Sequence, residues 1–275
     1  MTAVAERRIK PMYRVALLLL LVLGSVLPAR ADDSRGEQAI GFYAKGSLES
    51  PSRLEDDGIG FLKIFRSRDR GYGSQDLISF LVGLGTRVLE LHPEGERIQI
   101  GDLSGPRGGY ISGHSSHQNG LDVDTSFLRV DRREQNLENE SGFDEAFVQG
   151  GRLTPNFDLE RNWSFFASAA ATGRVQRMFV DPAIKRTYCK SMRDIGPESV
   201  WPTATVETLR RLRPYPNHDD HIHFRLYCPA GSGRCKEQEE VAPGSGCSEL
   251  MPPWRKGGNR RAAGGRDEHG DRVAF

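Results

Sequence analysis

The chain has 275 residues, with 38 Lys and Arg against 37 Asp and Glu and a formal net charge of +1. Its 37% hydrophobic and 27% charged content is that of a soluble globular protein, and its length suits one large domain or two small ones. The near-neutral balance argues against a nucleic-acid binder, which carries a basic excess, and the 31 glycines favour an α+β or β-rich fold over a helical bundle.

At the N-terminus Arg7, Arg8, Lys10 and Arg14 precede an apolar run of 13 residues, Val15–Leu27, and then Ala29-Arg30-Ala31. A basic start, a short apolar segment and a small-x-small site are the parts of a secretory signal, and the run is too short to span a bilayer comfortably. Residues 1–31 are therefore read as a signal peptide, with no stable membrane insertion once it is removed. Its loss takes five basic residues and one acidic one, leaving 33 against 36 and a mature net charge of −3. Residues 32–250 are read as the folded domain. Residues 251–275, rich in Gly and Arg, are expected to form a disordered basic tail.

Within the domain, Leu77, Phe80, Leu81, Leu84, Val88 and Leu91 recur at helical spacing, so 74–91 is expected to be a helix capped by Ser74. Residues 97–103 read as a strand. A Gly-rich turn follows (Gly105, Gly108, Gly109, Gly113), and 121–128 alternate as a second strand. Residues 129–155 are polar and read as a surface excursion. A helix over 157–172, a strand over 175–180, a short helix from Pro182 to near Cys189 and a helix over 205–212 complete the pattern. In the last strand, 221–227, His221, His223 and Arg225 share one face, while Ile222, Phe224 and Leu226 share the other.

The four cysteines, Cys189, Cys228, Cys235 and Cys247, contain no Cys-x-x-Cys and so do not suggest a zinc ribbon. In an exported chain an even number reads as two disulfides with three possible pairings. The Cys228–Cys235 spacing suits a small loop, and the other pairings stay open.

Histidine carries the chemical signal. Of seven, five fall in two clusters: His114 with His117, and His218 with His221 and His223. The first cluster leads into Asp122-Val123-Asp124, whose carboxylates point to one side of a strand. A catalytic zinc site uses three imidazole or carboxylate ligands and keeps one position open for water, and two histidines and an aspartate meet that need. A spare histidine beside the metal can move the proton or stabilise an oxyanion. The bland alternatives are a half-exposed His-x-His pair and an Asp122 that only hydrogen-bonds within the turn. His92, before a proline, reads as surface.

The segments AIGFYAKGSL (39–48), GDLSGPRGGYISGHSSHQNGLDVD (101–124), RMFVDPAIKRTYC (177–189) and HDDHIHFRLYCP (218–229) resemble the penicillin-insensitive murein endopeptidases. The ordered His-x6-Asp and His-x-His set is similar to that of the wider lysostaphin, D-Ala-D-Ala carboxypeptidase and hedgehog group. The resemblance implies an α+β fold with a small central antiparallel sheet flanked by helices and long loops, and a C-terminal region tied by Cys189–Cys247 and Cys228–Cys235. It implies Zn2+ held by His117, Asp124 and His223. His221 is then the base or transition-state stabiliser, and His114 and His218 line the site. The implied substrate is the D-alanyl–meso-diaminopimelyl cross-link between peptidoglycan stem peptides in the periplasm, cut without a serine nucleophile that penicillin could acylate. Some members hold a second metal through an acidic residue and a histidine between the two clusters. This chain has no histidine from 118 to 217, and Asp144 and Asp158 are the nearest acidic candidates. Two other functions fit the same residues: a non-catalytic, zinc-containing peptidoglycan-binding protein, and a metallo-carboxypeptidase or amidase that cuts another stem-peptide bond.

Overall fold

The computed structural model describes residues 38–251. The signal peptide and nearly all of the tail read from the sequence lie outside the described residues. A seven-stranded sheet forms the centre. Its strands in chain order are β1 (Asp57–Gly58), β2 (Phe61–Lys63), β3 (Ile98–Ile100), β4 (Asp122–Ser126), β5 (Val175–Val180), β6 (Leu212–Pro214) and β7 (His221–Leu226). They lie side by side as β6-β5-β7-β4-β3-β2-β1. The middle of the sheet, β5-β7-β4-β3, is antiparallel as expected, and parallel pairs β5–β6 and β2–β3 extend it on both sides.

Register fixes what each face carries. His223 lies opposite Asp124 and Arg225 opposite Asp122, and Phe179 lies opposite His223 on the other flank. Directly opposed residues project to the same side, so one face gathers Asp122, Asp124, Phe179, His223 and Arg225. The other face presents Val123, Met178, Ile222 and Phe224, all fully buried. Against it pack helix α1 (Gln75–Leu91) and helix α2 (Leu159–Ala171), through Phe80 and Phe165 at 5.8 and 5.4 Å from the Phe224 ring. Ser74 caps α1 by accepting from the Leu77 amide, and Asp158 caps α2 by accepting from Arg161.

Helix α3 (Pro182–Ile195) runs well past Cys189 and stops at Gly196, longer than the sequence reading. Pro182 sits in its first turn behind the N-cap Asp181. Helix α4 (Thr203–Arg211) begins earlier than expected, and Leu212, read as its last residue, opens β6 instead. The disulfides pair Cys189 with Cys247 and Cys228 with Cys235. Among the described residues no helix is long and apolar enough to cross a membrane.

The stretch 129–155 runs mostly over the surface, as the sequence reading has it, but it carries inward anchors. It is anchored inward by Phe147 and by the Arg129 side chain, which is 1% exposed and pairs with Asp144 and Glu145. Arg129 thus finds its carboxylate partners within the same loop, so a charged residue there is not a solvated one.

Candidate active site

The site face of the sheet is covered by loops, which leave a cleft of about 370 Å³ over Asp124. The Gly-rich turn supplies one wall and is clamped from below by the hairpin Ala39–Phe42/Lys45–Leu48. Tyr43 accepts from Gln118 N–H through its carbonyl, and Leu48 N–H donates to Arg107. Gly108, at φ +67, passes so close to the turn's return that a Cβ would stand 2.3 Å from the Gln118 carbonyl oxygen. His117 itself takes a left-handed backbone, φ +68, unusual for a non-glycine residue. It is held there by its backbone N–H, which donates to Asp122 Oδ2 at 3.0 Å. Strain of this kind persists where the surroundings fix it, and it clusters at functional sites.

The histidines of both clusters converge here, as the sequence reading required. Four of the five have one ring nitrogen hydrogen-bonded to an orienting group. His117 Nδ1 lies 3.0 Å from the Leu103 carbonyl, His218 Nδ1 2.8 Å from the Pro216 carbonyl, and His221 Nδ1 2.5 Å from Asp220 Oδ1. His114 Nε2 is 3.1 Å from Asp102 Oδ2, and His223 Nε2 is 3.2 Å from Asp122 Oδ1. Four of the remaining nitrogens face a single carboxylate. His117 Nε2, His223 Nδ1 and His221 Nε2 stand 3.3, 3.3 and 3.7 Å from Asp124 Oδ1, and His114 Nδ1 is 3.4 Å from Oδ2.

The tautomers decide what this arrangement can hold. A carbonyl only accepts, so His117 Nδ1 must carry its proton and Nε2 turns a lone pair toward Asp124. His223 Nδ1 faces the same oxygen at 3.3 Å, and its Nε2 is buried without a hydrogen-bond partner. Both His117 Nε2 and Asp124 Oδ1 are buried without a hydrogen-bond partner. Lone pairs converging in a dry pocket repel unless a cation lies between them, so the donor set fits a divalent metal ion. His114, His117 and Asp124 offer ligand atoms within 4.8 Å of one another. His223 adjoins that group at Asp124, so two triads share His117 and Asp124 and differ in the third member.

The electrostatics agree. Burial would raise the Asp124 carboxyl, but the facing imidazoles of His117 and His221 hold it far below the usual carboxylate range. Burial would lower His117, but the Asp124 carboxylate outweighs it and raises the ring's pKa. His221 is raised in the same way, against burial, by Asp124 and Asp220. Burial pushes His223 down to about 4, so it is a neutral imidazole at pH 7, the form that binds metal. Burial and the neighbouring His221 lower His218.

Several site residues were not read from the sequence. Asp102 and Asp220 orient His114 and His221. Phe143, from the 129–155 stretch, stacks flat on His221 with ring centroids 5.0 Å apart and planes 10° apart. Two aromatics, Phe143 and Phe147, inside a strongly polar segment were the one available signal that it turns inward. Asp122 accepts the turn's His117 amide, as the bland reading held, and also pairs with Arg225. The acidic candidates for a second metal are both engaged: Asp144 pairs with Arg129, and Asp158 caps α2.

A family model described as penicillin-insensitive murein endopeptidase matches residues 39–271. A penicillin-insensitive murein endopeptidase of Klebsiella pneumoniae (strain 342) is 32% identical over 251 residues, 87% of this chain and 86% of that protein. Those of Yersinia pestis bv. Antiqua (strain Antiqua) and Pectobacterium atrosepticum are 34% and 32% identical over 221 residues each, 79% of this chain and 76% and 74% of theirs. With its cleft of converging histidines and these matches over most of its length, the chain belongs to the penicillin-insensitive murein endopeptidase family of peptidases.

Proposed function

We propose that this chain is an exported, zinc-dependent DD-endopeptidase that hydrolyses the D-alanyl–meso-diaminopimelyl cross-link of peptidoglycan in the periplasm. The observation that carries the reading is the pair of buried, unpartnered atoms His117 Nε2 and Asp124 Oδ1, faced by further imidazoles in an open cleft. A structural zinc site is closed and has no use for spare histidines, whereas a catalytic one keeps a position open.

In this reading His117, Asp124 and His223 hold the ion. Zinc bound there supplies Lewis acidity, which polarises an amide carbonyl and lowers the pKa of water toward neutrality. His221 is the proton carrier. Asp220 fixes its Nδ1, so Nε2 faces the cleft, and Phe143 holds the ring plane. A base is best placed when its pKa lies near the working pH. His218, with ring centroid 4.8 Å from that of His221, lines the same wall; its Nδ1 donates to the Pro216 carbonyl, so Nε2 offers an acceptor to the cleft. His114, 21% exposed at its side chain, faces the cleft while Asp102 orients it. Replacing His114 and His223 separately distinguishes the two triads. The reading expects His223→Ala to abolish zinc retention and His114→Ala to preserve it.

The test is incubation of purified protein with cross-linked muropeptide dimers. Conversion to monomers that stops with chelator, returns with added zinc and continues with penicillin is expected. Dimers that stay intact with zinc-loaded protein would sink the proposal, and retention of muropeptide without cleavage would favour a binding protein.

A further inference from the structure

We propose that Arg225 and Asp122 form a positioning pair that sets the zinc affinity of the site without touching the ion. The proposal rests on the reading above that His117, Asp124 and His223 hold zinc. Alternation on β7 puts Arg225 on the same face as His221 and His223, and register puts it opposite Asp122. Arg225 Nε donates to Asp122 Oδ1 at 2.8 Å and Nη2 to Oδ2 at 3.1 Å, a two-point grip.

Both oxygens of that carboxylate also serve the site. Oδ1 lies 3.2 Å from His223 Nε2, and Oδ2 accepts the His117 backbone N–H at 3.0 Å. One side chain therefore lies against the ring of one proposed ligand and fixes the left-handed backbone of another. Asp122 is fully buried, and a buried carboxylate with no counter-charge is costly, so it keeps this geometry only while Arg225 is in place.

Arg225 is itself fixed on three sides. Its guanidinium lies over the Tyr43 ring at 4.2 Å and near the Phe179 ring at 5.1 Å, and Nη1 donates to Gln238 Oε1 at 2.7 Å. A lysine would keep the charge and lose the fork.

Competition with a zinc chelator tests the pair in the full mature chain, with thermal midpoints measured alongside. Variants are Arg225→Met, Arg225→Lys, Asp122→Asn and the double variant Asp122→Asn/Arg225→Met. Zinc binding is expected to weaken 10- to 100-fold in each, as for other residues that orient metal-binding histidines. The double variant removes both buried charges, so it should recover thermal stability relative to Arg225→Met while its zinc affinity stays low. That split separates positioning from a merely structural role, and it holds even if Arg225→Met alone does not fold. Zinc affinity within twofold of the parent chain in the double variant or in Arg225→Lys overturns the proposal. A parent chain that binds no zinc overturns it together with the function reading, whereas a zinc-binding parent with unaffected variants overturns this proposal alone.

Discussion

Replacing Asp102 by Asn removes a charge that the fold has surrounded with cations. Its side chain is 1% exposed, with Oδ2 2.9 Å from both Arg68 Nη1 and Arg70 Nη1 and 3.1 Å from His114 Nε2. Burial would raise the carboxyl, but the His114 hydrogen bond and the Arg68 guanidinium outweigh it and bring it down from 3.8 to about 2. That drop corresponds to about 2.5 kcal/mol held by the ionised form at neutral pH. It lies below the cost of breaking a fully buried pair because the Arg68 and Arg70 side chains remain 21% and 18% exposed. For a domain of this size the thermal midpoint should fall by about 5–10 °C. The sign with pH is fixed, because the folded pKa is depressed. The advantage of the parent chain is complete above about pH 4 and shrinks as pH falls toward about 2. Urea unfolding of both proteins at pH 7, 5, 4 and 3 reads this directly. Equal stability at pH 7, or a gap that widens on acidification, refutes the electrostatic account of this anchor.

Other substitutions probe different terms. His221→Ala should keep bound zinc while cleavage falls by about 10²- to 10⁴-fold, measured by metal content and muropeptide turnover, since general acid–base groups contribute that much. Lys185 is fully buried, its Nζ has no hydrogen-bond partner, and burial together with Arg213 lowers it from 10.5 to about 8. Its folded form holds the proton less tightly, so Lys185→Met should gain about 2–3 kcal/mol at pH 7. The variant should also lose the rise in stability that the parent shows from about pH 8 to 10.5, a pattern followed by urea unfolding at both ends of that range. Replacing the Cys189–Cys247 pair, 58 residues apart, with serines should cost about 4 kcal/mol in the chain-entropy account, against about 2 for Cys228–Cys235, 7 apart. Urea midpoints of the two double variants rank them.

The parts of this molecule that could be read from the sequence are those whose signal is local. The α1 helix and its Ser74 cap follow from apolar spacing and one hydroxyl, and β7 follows from strict alternation over His221–Leu226. The histidines and Asp124 were found because they recur at short, fixed spacing around a turn and two strands. Their orienting partners could not be found in this way. Asp102 reaches His114 from beyond β3, and Phe143 reaches His221 across a long polar loop, so only tertiary packing joins them. The same holds for Arg129, whose charge looked solvent-facing until its carboxylate partners folded back over it. Strands β1 and β2 are too short to show a period, and the hairpin at Ala39–Leu48, legible only as a family-like segment, shows its role only in the turn it clamps.

Mass-spectrometric analysis of a muropeptide digest, run with and without chelator, tests the central claim most directly. The account predicts that cross-linked dimers give monomers whose masses fit hydrolysis between D-alanine and meso-diaminopimelate, and that the chelator prevents it. Products cut at any other bond, or cleavage that survives complete removal of zinc, would contradict it.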